Sequence, residues 1–288
     1  MMAVIMQPDY EPLVWTWGPA EVRRYALAVG APVDVLRPGD LELVTSDAPV
    51  VLPTFATLLA DGHSLRYLPL PCVDYDPLDV IHAGHELEVH HPLPSSGAGT
   101  SESRIIELGD ARSGVLVRRE TLSCDAAGRL LTRNVVTSVI RGAAVGRPVS
   151  GTSALPPPTG DAATVAVPTF DRQARIYAQT CDDNPLHLDP VAARAGGFER
   201  PILHGLCALG MVVHRVIAEF GDGRWADVRG LGVRFVAPVV PGDVMVVHVR
   251  READVLHFET SVGERRVQSH GSIELQPVAS HGLPPVAW

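Results

Sequence analysis

Hydrophobic and polar residues alternate with a period of two in two separate blocks of the chain. Alternation of this kind, rich in β-branched residues, predicts antiparallel strands with one buried face. Six segments carry it most clearly: residues 86–91, 113–123 and 133–140 in the first block, and residues 231–238, 244–250 and 256–262 in the second. The pattern predicts two related halves, each ending in β-rich sequence.

A helical pattern precedes the strands in each half. Residues 19–30 and 171–180 are amphipathic and each contains a Tyr-Ala pair, and Asp171 is expected to cap the second helix. Apolar side chains then recur at helical spacing over residues 203–220, and Gly221 is expected to end this long helix. One helix followed by a run of strands predicts an α+β fold.

The first half has only part of this long helix. The corresponding segment begins alike at Pro53, but glycines and prolines interrupt it after Asp61. They are Gly62, Pro69, Pro71, Pro77 and Gly84. Because proline is not tolerated in a helix interior, we predict a shortened central helix in this half. The space beside it either admits a long or bulky ligand or is filled by loop residues.

A proline-rich stretch divides the chain near its middle. Residues 147–161 contain three consecutive prolines, which favours a stiff linker that joins no sheet. We therefore predict an amino-terminal domain over residues 1–146 and a carboxy-terminal domain over residues 162–288. A long surface loop within a single domain is the alternative.

Composition excludes several classes of function. The 288-residue chain has a formal net charge of −9 and no basic run, so nucleic acid is not expected as a partner. All 24 basic residues are arginines, and without lysine neither Schiff-base catalysis nor a Walker-type phosphate loop is possible. The four cysteines are widely spaced, which indicates neither a zinc site nor a disulfide framework. Without a signal peptide or a long apolar stretch, we expect a cytoplasmic protein that makes no membrane contact.

Three polar residues suited to acid–base chemistry lie close together within residues 177–189. Asp182, Asn184 and His187 flank an Asn-Pro step, and Pro185 pushes Asn184 out of the helical region, so the side chains can converge. A carboxylate and an imidazole that converge can hold a water molecule, remove its proton and return one. Asn184 can orient that water or the imidazole. The alternative is an ordinary turn beside a histidine that has no catalytic role.

Gly205 begins the long helix that follows. Exposed N–H groups at a helix N-terminus attract negative charge, and glycine lets a ligand approach the backbone closely. The position therefore suits a carbonyl oxygen that gains negative charge during a reaction, such as the oxygen of a thioester. Tight packing is the alternative, because Ala208 and Gly210 on the same helix are also small.

The stretch that holds these residues resembles a family motif. Residues 177–189, Tyr-Ala-Gln-Thr-Cys-Asp-Asp-Asn-Pro-Leu-His-Leu-Asp, resemble the hydratase-2 motif of MaoC-like (R)-specific enoyl-CoA hydratases. Residues 201–205 resemble the Pro-Ile-x-His-Gly that follows in the family, and residues 233–243 its next strand and turn. Residues 85–94 and 139–142 resemble the amino-terminal half of the two-domain members, so the resemblance covers nearly the whole chain.

The resemblance implies a tandem (double) hot-dog fold, in which each half is a long helix wrapped by an antiparallel β-sheet. The first half is expected to lack catalytic residues and to shape the acyl pocket. By position, Asp182 and His187 are the catalytic pair, Asn184 supports them, and the Gly205 N–H contacts the thioester oxygen. Cys181 stands where the family usually has glycine. It strains the backbone if that glycine needs positive φ, and otherwise narrows the pocket or alters substrate preference.

These implications identify a reaction. The chain is interpreted as an (R)-specific 2-enoyl-CoA hydratase, which reversibly converts a trans-2-enoyl-CoA to a (3R)-3-hydroxyacyl-CoA in fatty-acid or steroid side-chain β-oxidation. No metal or other cofactor is expected, because the thioester itself makes Cα acidic and Cβ electrophilic. Alternatives are a dehydratase that acts on a carrier-protein thioester, a non-catalytic acyl-CoA-binding partner subunit and a hot-dog thioesterase. A homodimer is the expected assembly.

Overall fold

The computed structural model describes residues 10–63, 70, 73–149, 162–180 and 182–277. Within these residues the chain forms ten β-strands and five α-helices. The strands are β1 (Leu13–Trp17), β2 (Val80–Val89), β3 (Gly97–Ala111), β4 (Gly114–Asp125), β5 (Leu130–Arg141), β6 (Ala163–Pro168), β7 (Val228–Phe235), β8 (Val244–Glu252), β9 (Val255–Val262) and β10 (Arg265–Leu275). The helices are α1 (Pro19–Ala28), α2 (Pro38–Thr45), α3 (Gln173–Tyr177), α4 (Pro190–Ala195) and α5 (Gly205–Phe220).

All ten strands belong to one antiparallel sheet. Their order across the sheet is β1-β3-β4-β5-β2-β7-β10-β9-β8-β6, so each half of the chain supplies five neighbouring strands. The halves meet where β2 pairs with β7, in a ladder that runs from Gly84 opposite Arg234 to Glu88 opposite Gly230. This arrangement confirms the α+β prediction. The domain boundaries stay a prediction, because most of the proline-rich stretch, residues 150–161, lies outside the described residues.

Helix α5 forms the centre of the core. Its side chains Leu209, Val213 and Ile217 are at most 1% exposed, and burial of each contributes about 1.5–3 kcal/mol. The predicted long helix is therefore confirmed, although it begins at Gly205 instead of residue 203. None of the helices in the described part of the chain is long and apolar enough to cross a membrane.

Helix α5 approaches α1 closely at Gly210, and this contact gives a testable prediction. A Cβ atom at Gly210 would lie 2.6 Å from Val29 Cγ1 and 3.0 Å from Tyr25 Oη, both side chains of the buried core. We expect Gly210→Ala to lower the free energy of unfolding by about 1–3 kcal/mol, because the core must move to admit the methyl group. Denaturant unfolding measures this loss.

The matched control for Gly210→Ala is Gly39→Ala on α2. A Cβ atom there meets only Trp225, at 4.0 Å, so the alanine should be neutral or stabilise the helix by up to about 1 kcal/mol. Equal effects of the two substitutions would mean that the approach of α5 to α1 does not limit the size of residue 210.

The first half replaces the long helix with a shorter 3-10 segment, Pro53–His63. It is 11 residues long, against 16 for α5. Two side chains of the sheet hold it, since Asn134 Nδ2 donates to Ala56 O at 3.3 Å and Arg119 Nη1 donates to Ala60 O at 2.9 Å. The central element of this half is thus short, as predicted from its glycines and prolines. The part of that prediction that concerns Pro69 and Pro71 lies outside the described residues.

The helix predicted over residues 171–180 is shorter than expected. Helix α3 covers only Gln173–Tyr177, and its N-cap is Arg172, whose side chain makes no capping hydrogen bond. The prediction that Asp171 caps this helix was wrong. The chain enters α3 through a turn in which the Gln173 N–H donates to Phe170 O at 2.9 Å.

A buried hydrogen bond between a carboxylate and an imidazole links the two halves away from the sheet. His214 Nε2 on α5 lies 2.8 Å from Asp40 Oδ1 on α2, and both side chains are at most 1% exposed. The other carboxylate oxygen accepts from the N–H groups of Val33 at 2.7 Å and Asp34 at 2.9 Å. Burial alone would raise the pKa of Asp40, but these hydrogen bonds outweigh it and hold the pKa below its ordinary value. Asp40 is therefore a structural carboxylate.

Candidate active site

The Asn-Pro step folds the predicted acid–base residues into a tight turn. Asp182 Oδ1 accepts from the Asn184 N–H at 3.0 Å, and Asn184 Oδ1 accepts from the Leu186 N–H at 3.0 Å. The second bond caps the 3-10 segment Pro185–His187. Asn184 therefore shapes the turn with its side-chain oxygen, in addition to lining the cavity described below. Cys181, just before the turn, lies outside the described residues.

His187 is held by the backbone of the next segment. Its Nδ1 lies 2.9 Å from Ile202 O. A carbonyl oxygen can only accept, so Nδ1 carries the proton and Nε2 of the neutral ring has a lone pair. Nε2 can therefore act as a base, and after taking a proton it can act as an acid.

His204 completes the cluster. It is the N-cap residue of α5 and is 1% exposed. Its Nε2 lies 3.0 Å from Asp182 O and 4.0 Å from Asp182 Oδ2, and its ring centroid is 3.9 Å from that of His187. The structure thus brings Asp182 and His187 together and adds a histidine that had no assigned role in the sequence interpretation. The stretch 201–205 contained it, but only Gly205 was singled out there.

The same three side chains are close enough to hold a metal ion. One nitrogen or oxygen atom from each of Asp182, His187 and His204 lies within 4.8 Å of the other two. Catalytic zinc sites use three protein ligands of these types and leave a fourth position for water. The donor set is compatible with a metal as well as with metal-free acid–base chemistry. A reaction without metal therefore remains a prediction.

Gly205 lies beside this cluster at the start of α5. As the first helical residue, its N–H has no acceptor within the helix, and the residue lines the cavity. A Cβ atom here would lie 3.4 Å from the ring of Phe235 on β7. The space beside Gly205 is therefore narrow on the side of Phe235, which also lines the cavity.

A single cavity of about 310 Å³ extends from this cluster across the junction of the two halves. Its volume is in the range of small-molecule sites. The second half contributes the residues described above. The first half contributes six polar residues, Thr57, Asp61, His82, His85, Arg119 and Ser138, together with the apolar Ala60, Val80, Ile81 and Val136. The cavity can accept a ligand that reacts at the cluster and extends into the first half.

Burial changes the charge state of the first-half residues. It lowers the pKa of His82 to about 3, with the nearby His85 also contributing, and lowers the pKa of His85 to about 4. Burial also lowers the pKa of Arg119 to about 10, although Asp61 opposes this effect. At neutral pH both histidines are therefore uncharged and Arg119 is charged.

Sequence reasoning missed these first-half residues, although one signal was present. On β4, Val115 and Val117 are buried, and residue 119 has the same parity in a strand, so its side chain must point to the same face. An arginine at a buried position of an alternating pattern indicates a polar site within the core. His82 lies outside the segments that were identified as strands and had no such signal.

Two family models match the chain, one in each half. The model described as MFE-2 hydratase 2 N-terminal domain matches residues 15–142. The model described as MaoC like domain matches residues 155–272. The second match contains the whole acid–base cluster, and the first contains the 3-10 segment and the polar residues at the other end of the cavity.

Individual relatives extend over both halves. Enoyl-CoA hydratase ChsH3 of Mycobacterium tuberculosis is 33% identical over 254 residues, which is 86% of this chain and 88% of the relative. The full-length peroxisomal multifunctional enzyme type 2 of Drosophila melanogaster has a TM-score of 0.78 at 32% identity, over 92% of this chain and 48% of that chain. A Mycobacterium tuberculosis structure described as a double hotdog fold has a TM-score of 0.53 at 14% identity, over 93% and 95% of the two chains. The chain therefore has a double hot-dog fold and belongs to the MaoC-like, hydratase 2 family.

Proposed function

We propose that the protein is an (R)-specific 2-enoyl-CoA hydratase of β-oxidation, which reversibly adds water to a trans-2-enoyl-CoA to give a (3R)-3-hydroxyacyl-CoA. The observation that carries the proposal is the convergence of Asp182 and His187 beside the N-terminus of α5, at one end of a cavity that can hold an acyl group. The relatives named enoyl-CoA hydratase support it, because they cover both halves of the chain.

The residues of the cluster can perform each step of hydration. A water molecule held between the Asp182 carboxylate and His187 Nε2 loses a proton to the pair as its oxygen bonds to Cβ. The thioester oxygen gains negative charge, which the Gly205 N–H and the α5 N-terminus stabilise. The pair then returns a proton to Cα. Base and acid are assigned to the pair as a unit, because interacting groups titrate together.

The reaction needs no metal or cofactor beyond the CoA of its substrate, because the thioester supplies the required polarisation. We therefore expect full activity after dialysis against EDTA, with far less than one equivalent of metal in the active protein. Activity assays and metal analysis of the same sample measure this. Loss of activity that Zn²⁺ restores would instead assign Asp182, His187 and His204 as a metal centre.

The assay that tests the proposed function follows the absorbance of crotonyl-CoA and of longer trans-2-enoyl-CoA substrates. Loss of enoyl absorbance with formation of the (3R) product supports the hydratase, and no reaction with any chain length contradicts it. Parallel assays on carrier-protein thioesters distinguish a dehydratase of biosynthesis. Release of free CoA, detected with a thiol reagent, would indicate a thioesterase.

The proposal includes a homodimer of the whole chain and a cytoplasmic location, and both are supported by sequence reasoning. The relative from Drosophila is named as peroxisomal, so location differs within the family. Light scattering on the purified protein measures the mass, and a mass of twice the 30.8 kDa chain is expected.

A further inference from the structure

The far end of the cavity contains a buried cation, although an unsubstituted acyl chain is apolar. Arg119 lies on β4, is 3% exposed and lines the cavity. A buried charge is costly unless other groups compensate it. A cavity for an unsubstituted fatty chain would be expected to have an apolar residue here, so the arginine needs an explanation.

Pairing in the sheet places Arg119 far from the reacting groups. Arg119 lies opposite Val136, Val136 opposite His85, and His85 opposite Val233 on the far side of the junction. Three strand spacings separate the backbones of Arg119 and Val233, which corresponds to roughly 14 Å between their Cα atoms. Phe235, two residues further along β7, has its ring beside Gly205. An acyl group whose thioester lies at Gly205 can therefore reach Arg119 only with its far end.

Arg119 has hydrogen-bonding capacity to spare. Its Nη1 donates to Ala60 O at 2.9 Å and approaches Ser103 Oγ at 3.4 Å. A guanidinium carries five N–H groups, and Nε and Nη2 make no hydrogen bond to any described residue. Asp61 lies near enough for its carboxylate to stabilise the charged form of Arg119. The charge is thus partly compensated, while donors toward the cavity are left for a ligand.

An acceptor lies on the same face of the sheet. His85 Nε2 is 2.9 Å from Asn134 Oδ1, and the Asn134 amide is oriented by its own bond to Ala56 O. His85 Nε2 therefore carries the proton, and Nδ1 is an acceptor. Nδ1 is buried and has no partner among the described residues, in a side chain that is 1% exposed and lines the cavity. Ser138 adds a hydroxyl to the same lining.

We propose that the acyl group this enzyme prefers carries a hydroxyl or keto oxygen at its far end, bound by Arg119. A hydroxyl or a keto oxygen at the far end accepts from Arg119, whereas His85, two strands nearer the junction, can accept from a hydroxyl closer to the thioester. A terminal carboxylate is disfavoured, because it competes with Asp61 for Arg119. This inference rests on the proposed function and specifies its substrate class.

The test compares trans-2-enoyl-CoA substrates of equal medium chain length that end in a methyl, hydroxyl, keto or carboxylate group. We expect kcat/KM for the hydroxyl and keto substrates to exceed that for the methyl substrate by about tenfold or more, because a site built for hydrogen bonding rejects an analogue that lacks the partner. Equal values for methyl and hydroxyl substrates would overturn the inference. A preference for the carboxylate substrate would overturn the inference that the far end of the acyl group is an uncharged hydroxyl or keto oxygen.

The variant Arg119→Met tests whether this residue causes the preference. The ratio of kcat/KM between hydroxyl and methyl substrates should fall to about one or below it. Because the ratio compares two substrates with the same variant, a smaller fraction of folded protein lowers both values of kcat/KM equally and leaves the ratio unchanged. The control is Arg118→Met, which removes the neighbouring arginine whose ion pairs are to Glu86 and Glu107. Arg118→Met should keep the wild-type ratio.

Failure of this inference can be distinguished from failure of the proposed function. Crotonyl-CoA is too short to reach Arg119, so its hydration by the wild-type protein reports on the cluster at Asp182 alone. Hydration of crotonyl-CoA without discrimination among the longer substrates would reject only the far-end site. Absence of hydration with every substrate would reject the proposed function itself.

Discussion

Asp182→Asn and His187→Gln are each expected to reduce hydration of crotonyl-CoA by about 10²–10⁴-fold, the range for loss of one positioned acid or base. Asparagine can still accept the Asn184 N–H with its side-chain oxygen, and glutamine can still donate to Ile202 O. Both variants should therefore fold, because the hydrogen bonds that hold the turn are retained. The loss is measured as kcat from enoyl absorbance, with thermal unfolding as the test of folding.

The matched control for these variants is Asp183→Asn. Asp183 is the next residue after Asp182 and is exposed, so its charge lies outside the cavity lining. Its substitution changes the net charge by the same amount as Asp182→Asn and should leave kcat within about twofold. Full activity in Asp182→Asn or His187→Gln would reject the catalytic pair, and equal losses in Asp182→Asn and Asp183→Asn would point to a general charge effect.

Asp40→Ala is expected to lower the free energy of unfolding by about 3–5 kcal/mol, in the range for removal of a charged partner from a buried pair. The substitution leaves the buried His214 Nε2 and the partly buried N–H groups of Val33 and Asp34 without their acceptor. Unfolding in denaturant measures the loss. The control Asp189→Ala removes an exposed carboxylate that caps α4 through the Val191 N–H, and should cost only about 1 kcal/mol.

The same carboxylate predicts how stability depends on pH. Although burial alone would raise it, hydrogen bonds from His214, Asp34 and Val33 hold the pKa of Asp40 below its ordinary value in the folded protein. A group of this kind stabilises the fold above its unfolded pKa and loses that contribution as pH falls through the folded pKa. Below about pH 4 the wild-type protein should therefore lose more stability than Asp40→Ala does. Parallel acid dependence of the two proteins would show that the pKa of Asp40 is the same in the folded and unfolded states, which contradicts the prediction.

Strands β8 and β9 could be predicted because their buried positions are apolar. In β8 and β9, buried Val247, Val249, Leu256 and Phe258 alternate with less buried positions, and the period of two is visible in the sequence. Strand β10 was missed because its buried positions include Gln268 and Ser269, so the hydrophobic pattern fails. The hydrophobic pattern weakens where a sheet buries polar side chains that hydrogen-bond within it, as Gln268 on β10 does with Thr260 on β9.

The candidate site was predictable only where it is local in the chain. Asp182, Asn184 and His187 lie within six residues, so the turn alone brings them together. His204 lies at the cavity because it is the N-cap residue of α5. Arg119 lies there because of the order of the strands in the sheet. The pairing of β2 with β7 sets that order, and periodicity within a strand does not identify its neighbours.

The ladder between β2 and β7 joins two parts of the candidate site that belong to different halves of the chain. The proposed acid–base pair belongs to the second half, whereas Arg119 and the 3-10 segment that it contacts belong to the first. Substitutions in the first half can therefore alter which acyl groups are admitted without moving the acid–base pair. A library of variants confined to β4, β5 and Pro53–His63 would therefore change the selectivity for acyl groups and leave the acid–base residues unaltered. In this division the first half determines which substrate binds, and the second half carries out the reaction.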